Sequence, residues 1–189
     1  MLGLAYVGLD NSPEMLDEAP AGYRLLRADI LDSATIGQVV AAHGPFDLVL
    51  SRWTAEHVHD GRRFHQQVFG MLASGGVAIH LFPTLYSLPF LINRLLGANL
   101  SSKLLFRIFP SRKKKFDAYY SWCRGPSRRQ LARLESLGFS LERYVGSFGH
   151  DLYRRLGPIN FAHRMITRLL VRHPLPLLTS SALVVVRRP

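Results

Sequence analysis

The chain has 189 residues, of which 48% are hydrophobic and 20% charged, a balance that excludes a disordered chain and fits one globular domain with insertions. Its lone cysteine, Cys123, excludes an internal disulfide and any thiol-based metal site, so we expect a reducing, cytoplasmic setting and no bound metal. The first residues lack the layout of a signal peptide, and no apolar run is long enough to span a bilayer.

The net charge of +11 is concentrated in the second half of the chain. Residues 1–99 carry 6 basic and 9 acidic side chains, residues 100–133 carry 10 and 1, and residues 134–189 carry 8 and 3. A basic second half suggests an anionic partner, which could be an acceptor molecule, a membrane surface or a nucleic acid.

Strands and helices alternate over the first half of the sequence. The pattern predicts strands at residues 4–9, 23–28, 46–51 and 77–82, with helices at 12–17, 33–42 and 61–72. Ser33 is the predicted N-cap of the second helix, and strand 46–51 is apolar enough to be buried on both faces. This alternation is typical of parallel βαβ units.

Two stretches interrupt that rhythm, and we interpret them as insertions at 84–126 and 149–176 within a single domain over 1–189. Between them lie a predicted helix at 127–137 and a strand at 139–147, and a last strand follows at 182–186. The second insertion contains a predicted helix at 159–172.

A carboxylate ends the first strand, and a helix start follows it directly. Asp10 precedes Asn11-Ser12-Pro13-Glu14, in which Ser12 is a plausible N-cap and Pro13 fits the first helical position. Ligands of open α/β sheets bind outside the carboxyl ends of the strands, where an Asp can accept hydrogen bonds from two ribose hydroxyls. The alternative is a capped turn with no ligand.

Three further segments join this one in a recognisable order: Arg27-Ala28-Asp29-Ile30, Phe46-Asp47-Leu48-Val49-Leu50-Ser51-Arg52-Trp53, and Leu72-Ala73-Ser74-Gly75-Gly76-Val77. Together with Val7-Gly8-Leu9-Asp10, the set resembles class I S-adenosylmethionine-dependent methyltransferases of the type that modifies small molecules, lipids or sugars.

The resemblance implies a Rossmann-like α/β sheet, mostly parallel, with a C-terminal antiparallel hairpin, and S-adenosylmethionine as cofactor. It also implies roles for individual residues. Asp10 would bind the ribose with Asn11 and Met15 beside the nucleoside, Asp29 and Ile30 would contact the adenine, and Ser51 would close the site near the methionine end.

The sequence departs from the family in lacking the first strand and the Gly-rich loop that follows it. We expect an N-terminally incomplete sheet with a gap of roughly 10 Å, unless the strands ending at Asp10 and Ser51 have closed on each other. The chain as written should then bind the cofactor weakly or not at all and be marginally stable, whereas a version extended upstream should bind it.

His57 is the candidate general base, because it lies one turn beyond the third strand and a neutral imidazole can accept a proton. The alternative is a helix-face histidine bonded to a carbonyl. We expect Glu56 to be solvated and His80 to be buried and hydrogen-bonded. Methyl transfer from a sulfonium can also proceed by positioning alone.

The predicted helix at 159–172 is basic and amphipathic. Ala162, Met165, Ile166, Leu169 and Leu170 share one stripe, and arginines 164, 168 and 172 share another. Such a helix can lie on an anionic bilayer at the inner face of the membrane, or pack on the body of the protein with its arginines solvated. Lys113-Lys114-Lys115 with neighbouring aromatic residues could contact nucleic acid, but no RNA-binding motif accompanies them.

The favoured hypothesis is methyl transfer from S-adenosylmethionine to a small-molecule, sugar or lipid-linked acceptor. One alternative is a truncated, non-catalytic protein of this fold whose basic insertions bind a membrane or an anionic polymer. Another is a nicotinamide-dependent oxidoreductase, but the catalytic Tyr/Lys set expected of such an enzyme is not found in this sequence.

Overall fold

The computed structural model describes residues 5–20, 22–85, 117–150, 153–154 and 157–189. Within these residues the strands are β1 (Val7–Asp10), β2 (Arg24–Arg27), β3 (Phe46–Arg52), β4 (Leu72–Pro83), β5 (Ser140–Ser147) and β6 (Ser181–Arg187). The α-helices are α1 (Pro13–Asp17), α2 (Ser33–His43), α3 (Gly61–Met71), α4 (Arg128–Glu135) and α5 (Gly157–Arg172). Short 3-10 helices cover Ala55–His57 and Pro176–Leu178.

The strands form two sheets. β1 pairs in parallel with β2, and a four-stranded sheet has the order β3-β4-β6-β5. β3 and β4 are parallel, while β6 runs antiparallel to both of its neighbours, β4 and β5. The predicted Rossmann-like sheet with a C-terminal antiparallel hairpin is therefore confirmed.

The break between the two sheets falls where a strand was expected to be missing. In the part of the chain that the structure describes, β1 and β3 do not pair, so these strands have not closed on each other. Side chains still connect the sheets: Leu9 of β1 and Val49 of β3 pack against the same buried cluster, which includes Met71. Ile30 contacts both this cluster and the main core.

The prediction that strand β3 is buried on both faces was wrong. Val49 packs against the core, but Leu48 is 49% exposed and Leu50 is 63% exposed. Successive side chains of a strand point to opposite faces, and no described element covers the face that carries Leu48 and Leu50. An apolar run shows that both faces suit burial, but a strand is buried only where neighbouring elements cover it.

Most predicted elements agree with the observed ones to within a few residues, with two local differences. The N-cap of α2 is Asp32, not Ser33, because the Asp32 side chain accepts a hydrogen bond from the Ala34 N–H (3.0 Å). β4 begins at Leu72 and includes the predicted Gly75-Gly76 turn, where the register with β3 is irregular.

Residues 86–116, most of the first predicted insertion, lie outside the described residues, and so does the Lys113-Lys114-Lys115 prediction. The described part of that insertion contacts the start of α3. The Gly61 N–H donates to Ser121 Oγ (2.9 Å), and the Leu85 N–H donates to the Arg124 carbonyl (3.1 Å). Among the helices that the structure describes, none is long and apolar enough to cross a membrane.

Candidate active site

Asp10 and Asp29 lie at the same end of two adjacent parallel strands. Asp10 is the last residue of β1, where it pairs with Arg27, and its carbonyl accepts a hydrogen bond from the Ala28 N–H (3.0 Å). Asp29 follows directly after Ala28. The two carboxylates are therefore placed together by the register of β1 and β2.

Each of these aspartates has one carboxylate oxygen held by the main chain. Oδ1 of Asp10 accepts from the Ser12 N–H, and Oδ1 of Asp29 accepts from the Leu31 N–H, both at 2.8 Å. Neither Oδ2 atom is hydrogen-bonded to a described residue. An anchored carboxylate with one open oxygen can accept hydrogen bonds from a ligand without first reorganising.

The other residues assigned to the nucleoside differ in how far their side chains are exposed. Met15 of α1 is 41% exposed and Asn11 is exposed, so both side chains are open to a ligand. Ile30 is half-buried and packs against the core beneath the site. The contacts of these three residues with a cofactor stay predictions.

Ser51 is engaged with the interior of the protein. Its Oγ and His80 Nδ1 share a hydrogen bond (2.7 Å) across the β3–β4 pair. The Ser51 hydroxyl would have to leave His80 in order to contact a ligand, whereas its backbone would not. If Ser51 contacts the cofactor, its main-chain groups are therefore better placed to do so than its hydroxyl.

His80 is fully buried as predicted, and a second histidine, His65 of α3, lies beside it with ring centroids 5.1 Å apart. Burial lowers the pKa of His80 to about 4. Burial also lowers the pKa of His65 well below its usual value, and repulsion from His80 adds to the effect. Both imidazoles are therefore neutral at pH 7, and the Nε2 of His80 has no hydrogen-bond partner among the described residues.

Glu56 contradicts the expectation that it is solvated, because only 3% of the residue is exposed. The segment that covers it is 117–123: the Tyr119 and Tyr120 N–H groups donate to the Glu56 carbonyl, and Cys123 Sγ donates to the Ala55 carbonyl. Burial raises the pKa of the Glu56 carboxyl to about 7. Its Oε2 has no hydrogen-bond partner within the described part of the chain.

His57 is next to this carboxyl, in the short 3-10 helix that follows β3. Its Nδ1 lies 2.6 Å from the Asp117 carbonyl oxygen, and its Nε2 lies 3.6 Å from Glu56 Oε1. The bond to a carbonyl is the one foreseen in the alternative interpretation of His57. Because a carbonyl oxygen only accepts, Nδ1 must carry the proton, so in the neutral ring Nε2 is the acceptor.

Three aromatic residues near this pair have left-handed backbone conformations, namely Trp53 (φ 56°), Tyr120 (φ 51°) and Trp122 (φ 59°). Residues with a Cβ seldom adopt such φ angles, and residues that do so often cluster at functional sites. Tyr120 is buried, and burial followed by repulsion from Glu56 raises the pKa of its phenol.

Sequence reasoning missed the burial of Glu56, the presence of Tyr120 near it, and the contact of His65 with His80. The residues that cover Glu56 come from a segment about sixty positions later in the chain. No local pattern around Glu56 contains that information. The Ala55-Glu56-His57-Val58 run, in which two ionisable residues lie between apolar ones after a strand, was the nearest available signal.

The arrangement of the sheets, with aspartates at the ends of β1 and β2, is that of a Rossmann-like methyltransferase fold. Similar solved structures share this fold. An S-adenosylmethionine-dependent methyltransferase from Mesorhizobium loti is 19% identical (TM-score 0.58), with 98% of this chain and 82% of that chain covered. One from Thermotoga maritima is 14% identical (TM-score 0.57; 97% and 72% covered). The N-methyltransferase NodS from Bradyrhizobium japonicum, solved with S-adenosyl-L-homocysteine, is 12% identical (TM-score 0.50; 97% and 66% covered).

Residues 1–80 match the family model described as a methyltransferase domain. No curated protein sequence matches the chain. Over residues 1–80 the chain is therefore similar to a methyltransferase domain, and its fold is the one that these S-adenosylmethionine-dependent methyltransferases share. The alternative of a non-catalytic protein of this fold is not favoured by these findings.

Proposed function

We propose that the chain acts as an S-adenosylmethionine-dependent methyltransferase on an oxygen, nitrogen or carbon atom of a small-molecule, sugar or lipid-linked acceptor. The observation that carries the proposal is the pair of carboxylates, Asp10 and Asp29, anchored at one end of adjacent strands with an open oxygen on each. Asp10 accepts hydrogen bonds from the ribose hydroxyls, and Asp29 accepts one from the adenine amino group.

The acceptor side of the site is formed by Glu56 and His57. When bound, S-adenosylmethionine supplies a methyl group on a sulfonium, which is transferred to a nucleophile. His57 Nε2 takes the proton that the nucleophile loses, and the Glu56 carboxylate, 3.6 Å away, stabilises the resulting imidazolium. The covering segment 117–123 shields the Glu56 carboxyl from water, while the His57 side chain stays partly exposed.

The cofactor assignment is tested by replacing each aspartate with alanine. Asp10→Ala and Asp29→Ala should each weaken S-adenosylmethionine binding by about 1.5–3 kcal/mol, the scale of hydrogen bonds to charged groups. The titration is followed by NMR up to millimolar ligand, so that weak binding is also measured. Asp17→Ala, which removes an exposed carboxylate at the end of α1, is the control.

Unchanged affinity in both aspartate variants would contradict the assignment.

The role of His57 is tested by the rate of S-adenosylhomocysteine release with a panel of hydroxyl and amine acceptors. His57→Ala should lower this rate by about 100-fold or more with a hydroxyl acceptor, the usual contribution of a general base. His59→Ala changes an exposed histidine two positions away and should have little effect. An unchanged rate in His57→Ala would show that transfer proceeds by positioning alone.

A further inference from the structure

Helix α5 presents apolar side chains to solvent. The sequence pattern allowed an apolar stripe packed on the body of the protein, but within this helix only Leu170 is buried. Phe161 is 69% exposed and Leu169 is 59% exposed. The other exposed large apolar side chains of the helix are Ile159, Met165, Ile166 and Val171.

The apolar surface continues beyond the end of the helix. Leu175, Leu177 and Leu178, in and next to the short 3-10 helix Pro176–Leu178, are each about half exposed or more. Scattered exposed leucines are ordinary, but a concentration of exposed large apolar side chains in one helix and the turn after it indicates an interaction surface. We call α5 together with residues 175–178 the α5 surface.

A row of arginines runs beside the apolar row. Phe161, Met165 and Leu169 are spaced by four residues, and so are Arg164, Arg168 and Arg172, which are all exposed. At 100° per residue the two rows lie about 60° apart around the helix. Arginines with this spacing can extend along an apolar surface while their guanidinium groups stay in a polar layer.

The charge of this region has one sign. Residues 152–189 contain seven arginines and no Asp or Glu. No carboxylate of the described residues forms an ion pair with arginines 164, 168 or 172. The positive charge of the α5 surface is therefore available to an anionic partner.

A cleft of about 480 Å³ adjoins the arginine row of α5, on the side away from Phe161, Met165 and Leu169. Its basic lining consists of three arginines and two histidines: Arg154, Arg164, Arg168, His150 and His163. The rings of His150 and His163 stack with centroids 4.0 Å apart. This volume and lining suit a phosphate-bearing headgroup.

We propose that the α5 surface docks on a bilayer that contains anionic phospholipids. The helix lies in the plane of the interface, with the Phe161 row among the acyl chains and the Arg164 row on the phosphates. The basic cleft beside it receives one lipid headgroup. This docking is independent of methyl transfer, so either can fail without the other.

Charge and composition favour a membrane over other partners. Two copies of the α5 surface would bring six arginines together with no carboxylate between them, and these like charges would repel each other. A single-stranded nucleic acid would need aromatic platforms for its bases, and the helix offers one aromatic residue, Phe161. An anionic bilayer offers phosphate groups to the Arg164 row and acyl chains to the Phe161 row.

The test is co-sedimentation of the full chain with vesicles of phosphatidylcholine alone or mixed with phosphatidylglycerol, at low and high salt. The chain should bind the mixed vesicles at low salt and should be released by salt, because counterions screen the attraction. Replacing arginines 164, 168 and 172 by Glu should weaken partitioning by roughly 100-fold or more, since each basic residue contributes about fivefold at such a surface.

Two further variants separate docking from simple charge attraction. Arg128→Glu, Arg129→Glu and Arg143→Glu together make the same change in net charge on exposed positions elsewhere and should retain most of the binding. Phe161→Ser with Leu169→Ser keeps every charge but should lose most of the binding. Because all of these side chains are exposed, the variants should fold, and urea unfolding checks that they do.

Several results would overturn the proposal. Equal loss of binding in the two arginine triplets would mean nonspecific charge attraction, and full binding by the Phe161 and Leu169 variant would exclude insertion. A change of oligomeric state in the α5 variants without vesicles would identify a second copy as the occupant. Binding to a single-stranded oligonucleotide, with none to mixed vesicles, would identify a nucleic acid instead.

Discussion

Replacing Glu56 by glutamine is expected to raise the free energy of unfolding by about 2–3 kcal/mol near pH 8 and by less than about 1 kcal/mol near pH 5. Burial raises the pKa of this carboxyl from 4.5 to about 7 in the folded protein. A raised pKa means that the folded state holds the proton more tightly. Its stabilising effect is present below pH 4.5 and is lost as the pH rises through 7.

Urea unfolding of both proteins at the two pH values measures this difference. The comparison cancels the contributions of His65 and His80, whose pKa values are lowered and which therefore destabilise the protein as the pH falls below about 6.5. Glu135→Gln, an exposed carboxylate of α4, is the control and should show no such dependence. An identical effect of Glu56→Gln at both pH values would mean that the carboxyl is solvated.

Gly61→Ala should destabilise the protein by about 3 kcal/mol, the upper end of what overpacking costs. A Cβ at this position would lie 2.0 Å from the Ser121 carbonyl oxygen and 2.5 Å from its carbonyl carbon. These are backbone atoms, so either the start of α3 or segment 117–123 has to move. Movement of the segment would expose Glu56 and return its pKa toward 4.5.

Gly70→Ala provides a matched control in the same helix. No atom lies within 4 Å of the Cβ that this change would add, and alanine is the better helix former. Urea unfolding at neutral pH should therefore show Gly70→Ala equal to or more stable than the parent chain. Equal stability of the two alanine variants would contradict the close contact between α3 and residue 121.

The order and type of the elements followed from the sequence, because local patterns carry them. The helix at 33–43 shows this: it begins at an Asp/Ser cap and ends before Gly44-Pro45, and its observed bounds, Ser33–His43, differ from the predicted ones by one residue. The interruption of the sheet also followed, since it rests on which of the family's segments are present and on their order.

Burial could not be predicted in the same way, because it depends on segments far apart in the chain. Leu50 looks like a core residue in its own strand, yet it is exposed because no described element lies over that face. Glu56 looks like a surface residue, yet segment 117–123 covers it. The roles assigned to Asp10, Asp29 and His57 stay predictions until a ligand is measured.

The position of β6 has a consequence for the folding kinetics. It lies between β4 and β5, so β5 has no partner in the described sheet until β6 is in place. The contact that closes this arrangement, between Arg187 Nη1 and the Gly75 carbonyl, joins residues 112 positions apart. Pairings over such separations require closure of a long loop and slow the search for the native state. The rate-limiting event in folding is therefore expected to be the insertion of β6, long after the local βα units have formed.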